Sequence, residues 1–134
     1  MEPEIGFAWA AGLFEGEGSI CAAKAGNTTT MKIHVGMADK DIIERFHSIV
    51  GCGTVGGPYA GKKAHHKPMY FWRLGRRSEQ IEFINRIWPY LGERRRQQVV
   101  DVHSKITPIT KEGSGIHDGD RRGRWGKPNL QAVA

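Results

Sequence analysis

The chain has 134 residues, with 20 Lys and Arg against 14 Asp and Glu and a formal net charge of +6, and its pI is near 9.6. That length suits one domain with a real core rather than two, and the basic balance favours an anionic partner, nucleic acid first. No apolar run reaches membrane length, and the chain opens on acids rather than on a basic leader, so an intracellular protein is expected, in the cytoplasm or in a DNA-containing compartment. Cys21 and Cys52 form no C-x-x-C pair and read as small core residues of a reducing compartment. Six histidines invite a zinc reading, but His65 and His66 are adjacent and no Cys or His pair has finger-like spacing.

In chain order, a helix is expected from about Ile5 to Glu15. Ala8 and Gly12 lie one turn apart on it, which leaves one face nearly flat for another helix to approach. At Glu15-Gly16-Glu17-Gly18 the helix hands over to a strand beginning Ser19-Ile20-Cys21-Ala22. Two acids in a glycine-rich corner of this kind can present a carboxylate as a hard oxygen ligand for a divalent metal.

Residues 19–25 and 30–37 read as a hairpin around Gly26-Asn27-Thr28. In the second strand Met31, Ile33, Val35 and Met37 point one way, and Thr30, Lys32, His34 and Gly36 the other. Asp39 then stands at an N-cap, Ile42, Ile43, Phe46, Ile49 and Val50 follow at helical spacing, and Gly51 ends that helix. Cys52 to Gly57 reads as a strand, residues 58–68 as a basic loop, and Met69 to Gly75 as the returning strand of a long hairpin. On that strand Tyr70, Trp72 and Leu74 share one face and Met69, Phe71 and Arg73 the other.

Ser78 is expected to cap a third helix through Ile81, Ile84, Ile87 and Trp88, interrupted by Pro89 and Gly92. A last helix begins near Glu93 and carries Arg94-Arg95-Arg96 before Val99, Val100 and Val102. The expected domain occupies residues 1–107. Residues 108–134 are rich in Gly, Pro, Lys and Arg, and read as a basic tail that orders only on contact with a partner.

Ala10-Ala11-Gly12-Leu13-Phe14-Glu15-Gly16-Glu17-Gly18 resembles the signature of the LAGLIDADG homing endonucleases. Gly12, Leu13 and Gly18 match it outright, and Glu15 and Glu17 are acidic where it is acidic. Ala10 replaces the leading Leu, and Glu stands twice for Asp. The resemblance covers roughly residues 5–107. It implies an α+β fold in the order αββαββα(α), whose four-stranded antiparallel saddle lies in the DNA major groove.

The resemblance also implies a site-specific double-strand DNA endonuclease of the homing type. One motif per chain implies a homodimer packed through the motif helices and acting on a long pseudo-palindromic site. By the same resemblance Glu17 is the direct metal ligand, the Gly16 carbonyl adds an oxygen, and Glu15 is the first acid of the motif. The cofactor is Mg²⁺ or another divalent cation such as Mn²⁺, with Ca²⁺ as a non-catalytic substitute. A single Glu holds a metal poorly, whereas two meeting across a two-fold axis can hold one with phosphate oxygens and water. Arg94 stands where a Lys is usual early in the final helix. Arg keeps the charge and the donors but cannot serve as a base. Arg95 and Arg96 read equally well as a solvated helix start. A polar side chain usually follows the second strand, and here that position holds Met37, or Val35 in an ungapped alignment.

For DNA contact, Lys32, His34 and Arg73 are expected to touch bases or phosphates. Lys24, Lys62, Lys63, Lys67, Arg76 and Arg77 are expected to touch phosphates, which position without specifying. A non-catalytic DNA-binding regulator and an RNA-binding intron-splicing factor on the same fold remain alternatives, fed by the departures at Met37 and Arg94.

Overall fold

The computed structural model describes residues 2–63 and 65–108, so nearly all of the expected basic tail lies outside the described residues. Helix α1 (Pro3–Glu17) runs two residues further at each end than its apolar pattern indicates. Pro3 starts it where a missing N–H is harmless. Gly6, Ala10, Ala11 and Phe14 form its buried stripe. It stops because Gly18 turns extended while its N–H still bonds to the Phe14 carbonyl. A Cβ at Gly18 would run into the Phe14 ring, so only glycine fits this corner.

Strands β1 (Gly18–Ala25) and β2 (Thr28–Met37) form the first hairpin. Helix α2 (Lys40–Val50) follows Asp39 and ends at Gly51 in the left-handed conformation. Strands β3 (Thr54–Tyr59) and β4 (Met69–Leu74) form the second hairpin, β3 starting two residues after Cys52. Helix α3 (Arg77–Ile87) begins before Ser78, with Arg76 rather than Ser78 at the N-cap. A 3-10 turn at Trp88–Tyr90 then leads to α4 (Glu93–Lys105). No helix among the described residues is long and apolar enough to cross a membrane.

The sheet order is β1-β2-β4-β3, with every neighbouring pair antiparallel. The fold is therefore α+β, with the helices on one face of the sheet. Ile20, Met31, Ile33, Val35, Trp72 and Leu74 are buried on that face. Alternation sends their neighbours outward. The core is tied together by aromatic rings. Phe14 meets Phe83 edge-on at 5.2 Å and Phe46 meets Trp72 at 4.8 Å, while Trp72 lies 5.2 Å from Phe83. These four rings join α1, α2, α3 and β4.

Two side chains finish the sheet where β2 and β4 part. Pairing between them stops at Ile33↔Leu74. Gln80, only 1% exposed, reaches into the gap and donates to the Met31 carbonyl (2.7 Å) and the Leu74 carbonyl (2.8 Å). Further along, the Thr107 N–H donates to Thr29 O at 2.8 Å, and the Thr29 N–H donates back to the Thr107 hydroxyl at 2.8 Å. The end of the described chain is thereby tied to β2.

Candidate active site and nucleic-acid interface

The outer face of the sheet is built by strand register. Ser19 and Cys21 of β1 stand opposite His34 and Lys32 of β2. His34 stands opposite Arg73 of β4, and Arg73 opposite Thr54 of β3. Lys32 and Arg73 are exposed and His34 is half-buried, around a hollow of about 200 Å³ that these three line with Gly75. Cys21 is exposed on this face, not in the core, because the alternation that buries Ile20 and shelters Ala22 turns Cys21 outward.

Arg73 is held by aromatic rings. Its guanidinium lies 4.9 Å from the Phe71 ring and 5.4 Å from the Tyr59 ring. Phe71 lies against Gly36, its cross-strand partner, and any Cβ at Gly36 would overlap the ring. Glycine therefore lets the aromatic ring lie across the strand, and the ring orders the arginine. Sequence reasoning places Phe71 on this face with Arg73 but gives it no role, and it leaves Tyr59 in the loop at 58–68. Their signal is the glycine in an otherwise alternating strand.

Burial pulls the His34 imidazole below the ordinary histidine range, and the charges of Arg73 and Lys32 push in the same direction. Its Nδ1 is buried without a hydrogen-bond partner among the described residues. Lys62, Lys63 and Lys67 are exposed in the loop between β3 and β4. Lys24 is exposed as well, but it alternates onto the helix-side face that carries Ile20 and Ala22. Arg76 is exposed at the start of α3. Arg77 is 8% exposed and donates to the Thr107 carbonyl at 2.9 Å. Its guanidinium is engaged by the chain itself, which removes it from the set of phosphate contacts. It precedes Ile81 by one helical turn, on the side of α3 that faces inward.

The acids of the motif part company at the end of α1. Glu17 is exposed and has no hydrogen bond or ion pair among the described residues. Gly16 is also exposed, and as a residue of the last turn its carbonyl has no intrahelical partner. Glu15 is instead engaged. Its Oε1 accepts the Gly92 N–H at 2.6 Å, and its Oε2 lies 3.8 Å from Arg95 Nε.

Arg95 is not a solvated helix start: it is 5% exposed. Its Nη2 donates to the carbonyls of Glu15 (2.9 Å) and Phe14 (3.3 Å), and its Nη1 to Gln98 Oε1 (2.7 Å). Burial draws it below the ordinary arginine range and Arg94 adds to this, while Glu15 opposes it. Arg96 donates from Nε and Nη2 to the Trp88 carbonyl at 3.2 and 3.0 Å. Arg94 is exposed in the same turn. Val35 is fully buried, and Met37 packs against the core.

One stripe of α1 is uncovered. Ile5, Gly12 and Gly16 are exposed and Ala8 is half-buried, opposite the buried stripe. A Cβ at Gly12 or Gly16 would meet nothing within 4 Å. The donors at the helix end are hard oxygens, a carboxylate and a carbonyl, which suit Mg²⁺ or Ca²⁺ rather than a soft metal. Among the described residues no three His, Cys, Asp or Glu side chains converge, and of the two motif acids Glu17 is the exposed one while Glu15 is engaged by Gly92 and Arg95.

No family model and no curated protein matches the chain. Solved structures do. The homing endonuclease I-CvuI, in complex with its target in the presence of calcium, superposes with a TM-score of 0.57 at 21% identity over 75% of this chain and 66% of that one. The archaeal intron-encoded homing endonuclease I-Vdi141I, complexed with DNA, gives 0.58 at 16% identity over 74% and 65%. The group I intron-encoded homing endonuclease I-CeuI, also complexed with DNA, gives 0.53 at 12% identity over 75% and 53%. The matched part thus spans just under two thirds of the first two proteins. The four helices and the four-stranded antiparallel sheet match these structures, and the chain has the fold of the LAGLIDADG homing endonucleases.

Proposed function

We propose that the protein is a divalent-metal-dependent endonuclease that cuts both strands of a specific DNA site as a homodimer. The observation that carries this reading is the end of α1. The helix leaves a stripe of small residues open along its length and delivers Glu17, exposed and unpartnered among the described residues, at the corner where the sheet begins. Two such helices packed along that stripe would bring two Glu17 carboxylates together on the axis.

Glu17 and the Gly16 carbonyl would hold the cation. When bound, it neutralises charge on the scissile phosphate and lowers the pKa of the attacking water. The remaining work falls to the chain's own residues. Arg94 faces solvent in the first turn of α4 and can donate to phosphate oxygens as negative charge builds, but it cannot take up a proton. Lys32, His34 and Arg73 read base edges or phosphates along the outer face of the sheet. Lys62, Lys63 and Lys67 hold the backbone from the hairpin loop.

A second reading is favoured by one observation. Met37, or Val35 in an ungapped alignment, stands where a water-orienting polar side chain is usual in the resembling family; Val35 is fully buried and Met37 packs against the core. On this reading the protein binds duplex DNA without cutting it. Incubation with a randomised duplex library and Mg²⁺, followed by sequencing of cut ends, separates the two. One long pseudo-symmetric site with staggered ends, lost in Glu17→Gln, supports the endonuclease. Salt-sensitive binding with no cut ends in Mg²⁺ or Mn²⁺ supports the binder, and unchanged cutting by Glu17→Gln overturns the role of Glu17.

A further inference from the structure

We infer that Arg95 is a positioning residue: it clasps the end of α1 to the start of α4 and so fixes the direction in which Glu17 is presented. The inference rests on the endonuclease reading and adds a residue to it.

The argument starts from helix ends. The last carbonyls of α1 and the first N–H groups of α4 have no partners within their own helices, and the two ends carry opposite partial charge. The chain joins them reciprocally. Arg95, from the first turn of α4, donates to the Phe14 and Glu15 carbonyls of α1. Glu15, from the last turn of α1, accepts the Gly92 N–H at the α4 N-cap. Each helix thus supplies the cap of the other, and the charges suit both poles. The Phe14 carbonyl also accepts the Gly18 N–H that closes the helix.

Arg95 is therefore bound one turn before Glu17, at the carbonyls that set the course of the last turn. Its guanidinium is also seated 5.3 Å from the Phe14 ring, whose other contacts include Gly18 and Phe83. A planar group with several fixed donors can serve both carbonyls, the ring and Gln98 together. A lysine keeps the charge but offers a single point of contact. Arg94, the residue before it on α4, is carried by the same turn, so the clasp also sets the distance between the exposed arginine and the exposed acid.

The test compares Arg95→Lys, Arg95→Gln and Glu17→Gln with the wild type, mixed with the random duplex pool. Mn²⁺ affinity is read by paramagnetic resonance, pool binding by salt titration, and folding by thermal melting. Arg95→Lys is expected to melt cooperatively and bind the pool within about twofold of wild type, but to lose at least about fivefold in Mn²⁺ affinity and about tenfold in cut ends. Restoration toward wild type in the order Gln, Lys, Arg supports positioning. Both Arg95 variants holding Mn²⁺ and cutting like wild type would overturn the inference. If Arg95→Gln does not fold, Arg95→Lys alone decides. Loss of Mn²⁺ binding in Glu17→Gln with none in Arg95→Lys refutes only the clasp. Unchanged Mn²⁺ binding in Glu17→Gln refutes the endonuclease reading beneath it.

Discussion

Arg73 stands directly across from His34 in the pairing of β4 with β2, so a fixed cation and a titratable ring share the middle of the outer sheet face. Lys32 lies two residues away on the same face. The two cations raise the local positive potential and, after burial, add to what draws the His34 imidazole below its ordinary range.

His34 consequently makes stability depend on pH. In the unfolded chain a histidine protonates near 6.5, and in the folded chain His34 does so only at lower pH, through burial first and then Arg73 and Lys32. Below about 6.5 the unfolded state then binds more protons than the folded state, so this contribution is whole above that pH and is lost as pH falls toward the folded value. Chemical denaturation of wild type and His34→Asn at about pH 8 and about pH 5 isolates it. The wild type should lose more stability on acidification than the variant, and an equal or smaller loss contradicts the assignment.

Arg73 should behave differently from the loop lysines. Packed against Phe71 and Tyr59, its guanidinium is already held in place and, on the proposed function, suited to a base edge, whereas Lys62 and Lys67 extend into solvent. Arg73→Ala is expected to relax preference at one base pair of the site, by about 1–3 kcal/mol of discrimination. Lys62→Ala is expected to weaken binding to all duplexes alike and to lower the salt slope by about 1. Equal effects of both variants on matched and mismatched duplexes would place Arg73 among the phosphate contacts.

Much of the fold is legible in the sequence. Alternation in β2 gives both faces of the sheet, and Gly51 gives the end of α2, because each rests on local chemistry. Arg95 and Arg77 are harder to read as buried, since charge argues for solvent. Yet Arg95, Val99 and Val102 lie at i, i+4 and i+7 on the inward stripe of α4. Periodicity carries the information and residue type obscures it. The carbonyls that need an arginine are about 80 residues away in sequence, and no local pattern announces them.

The open stripe of α1 leads to a prediction about assembly. A Cβ at Gly12 would meet nothing within 4 Å among the described residues, so the first atom of a larger side chain clashes with none of them. Gly12→Leu should also favour the helix, by somewhat less than the roughly 0.8–1 kcal/mol that separates Gly from Ala. It would nevertheless hold apart two helices that approach along this stripe. Sedimentation should find the wild type dimeric and Gly12→Leu monomeric with a native circular-dichroism spectrum. A variant that dimerises like wild type places the dimer contact elsewhere.

Gln80 offers a test of how the saddle is held open on one side. Where β2 and β4 separate, the carbonyls of Met31 and Leu74 have no strand partner for each other, and the single Gln80 amide serves both. Leucine has nearly the same volume and would gain some apolar burial. It would also leave two buried acceptors without donors, and an unsatisfied buried group costs about 1–3 kcal/mol. The penalty exceeds the gain, so Gln80→Leu should lower unfolding free energy by about 1–3 kcal/mol with an unchanged denaturant slope. A variant as stable as wild type would mean that water or a shift of α3 satisfies the carbonyls. A shallower slope would mean that the β2–β4 junction already opens in the native state, and with it the face that carries Lys32, His34 and Arg73.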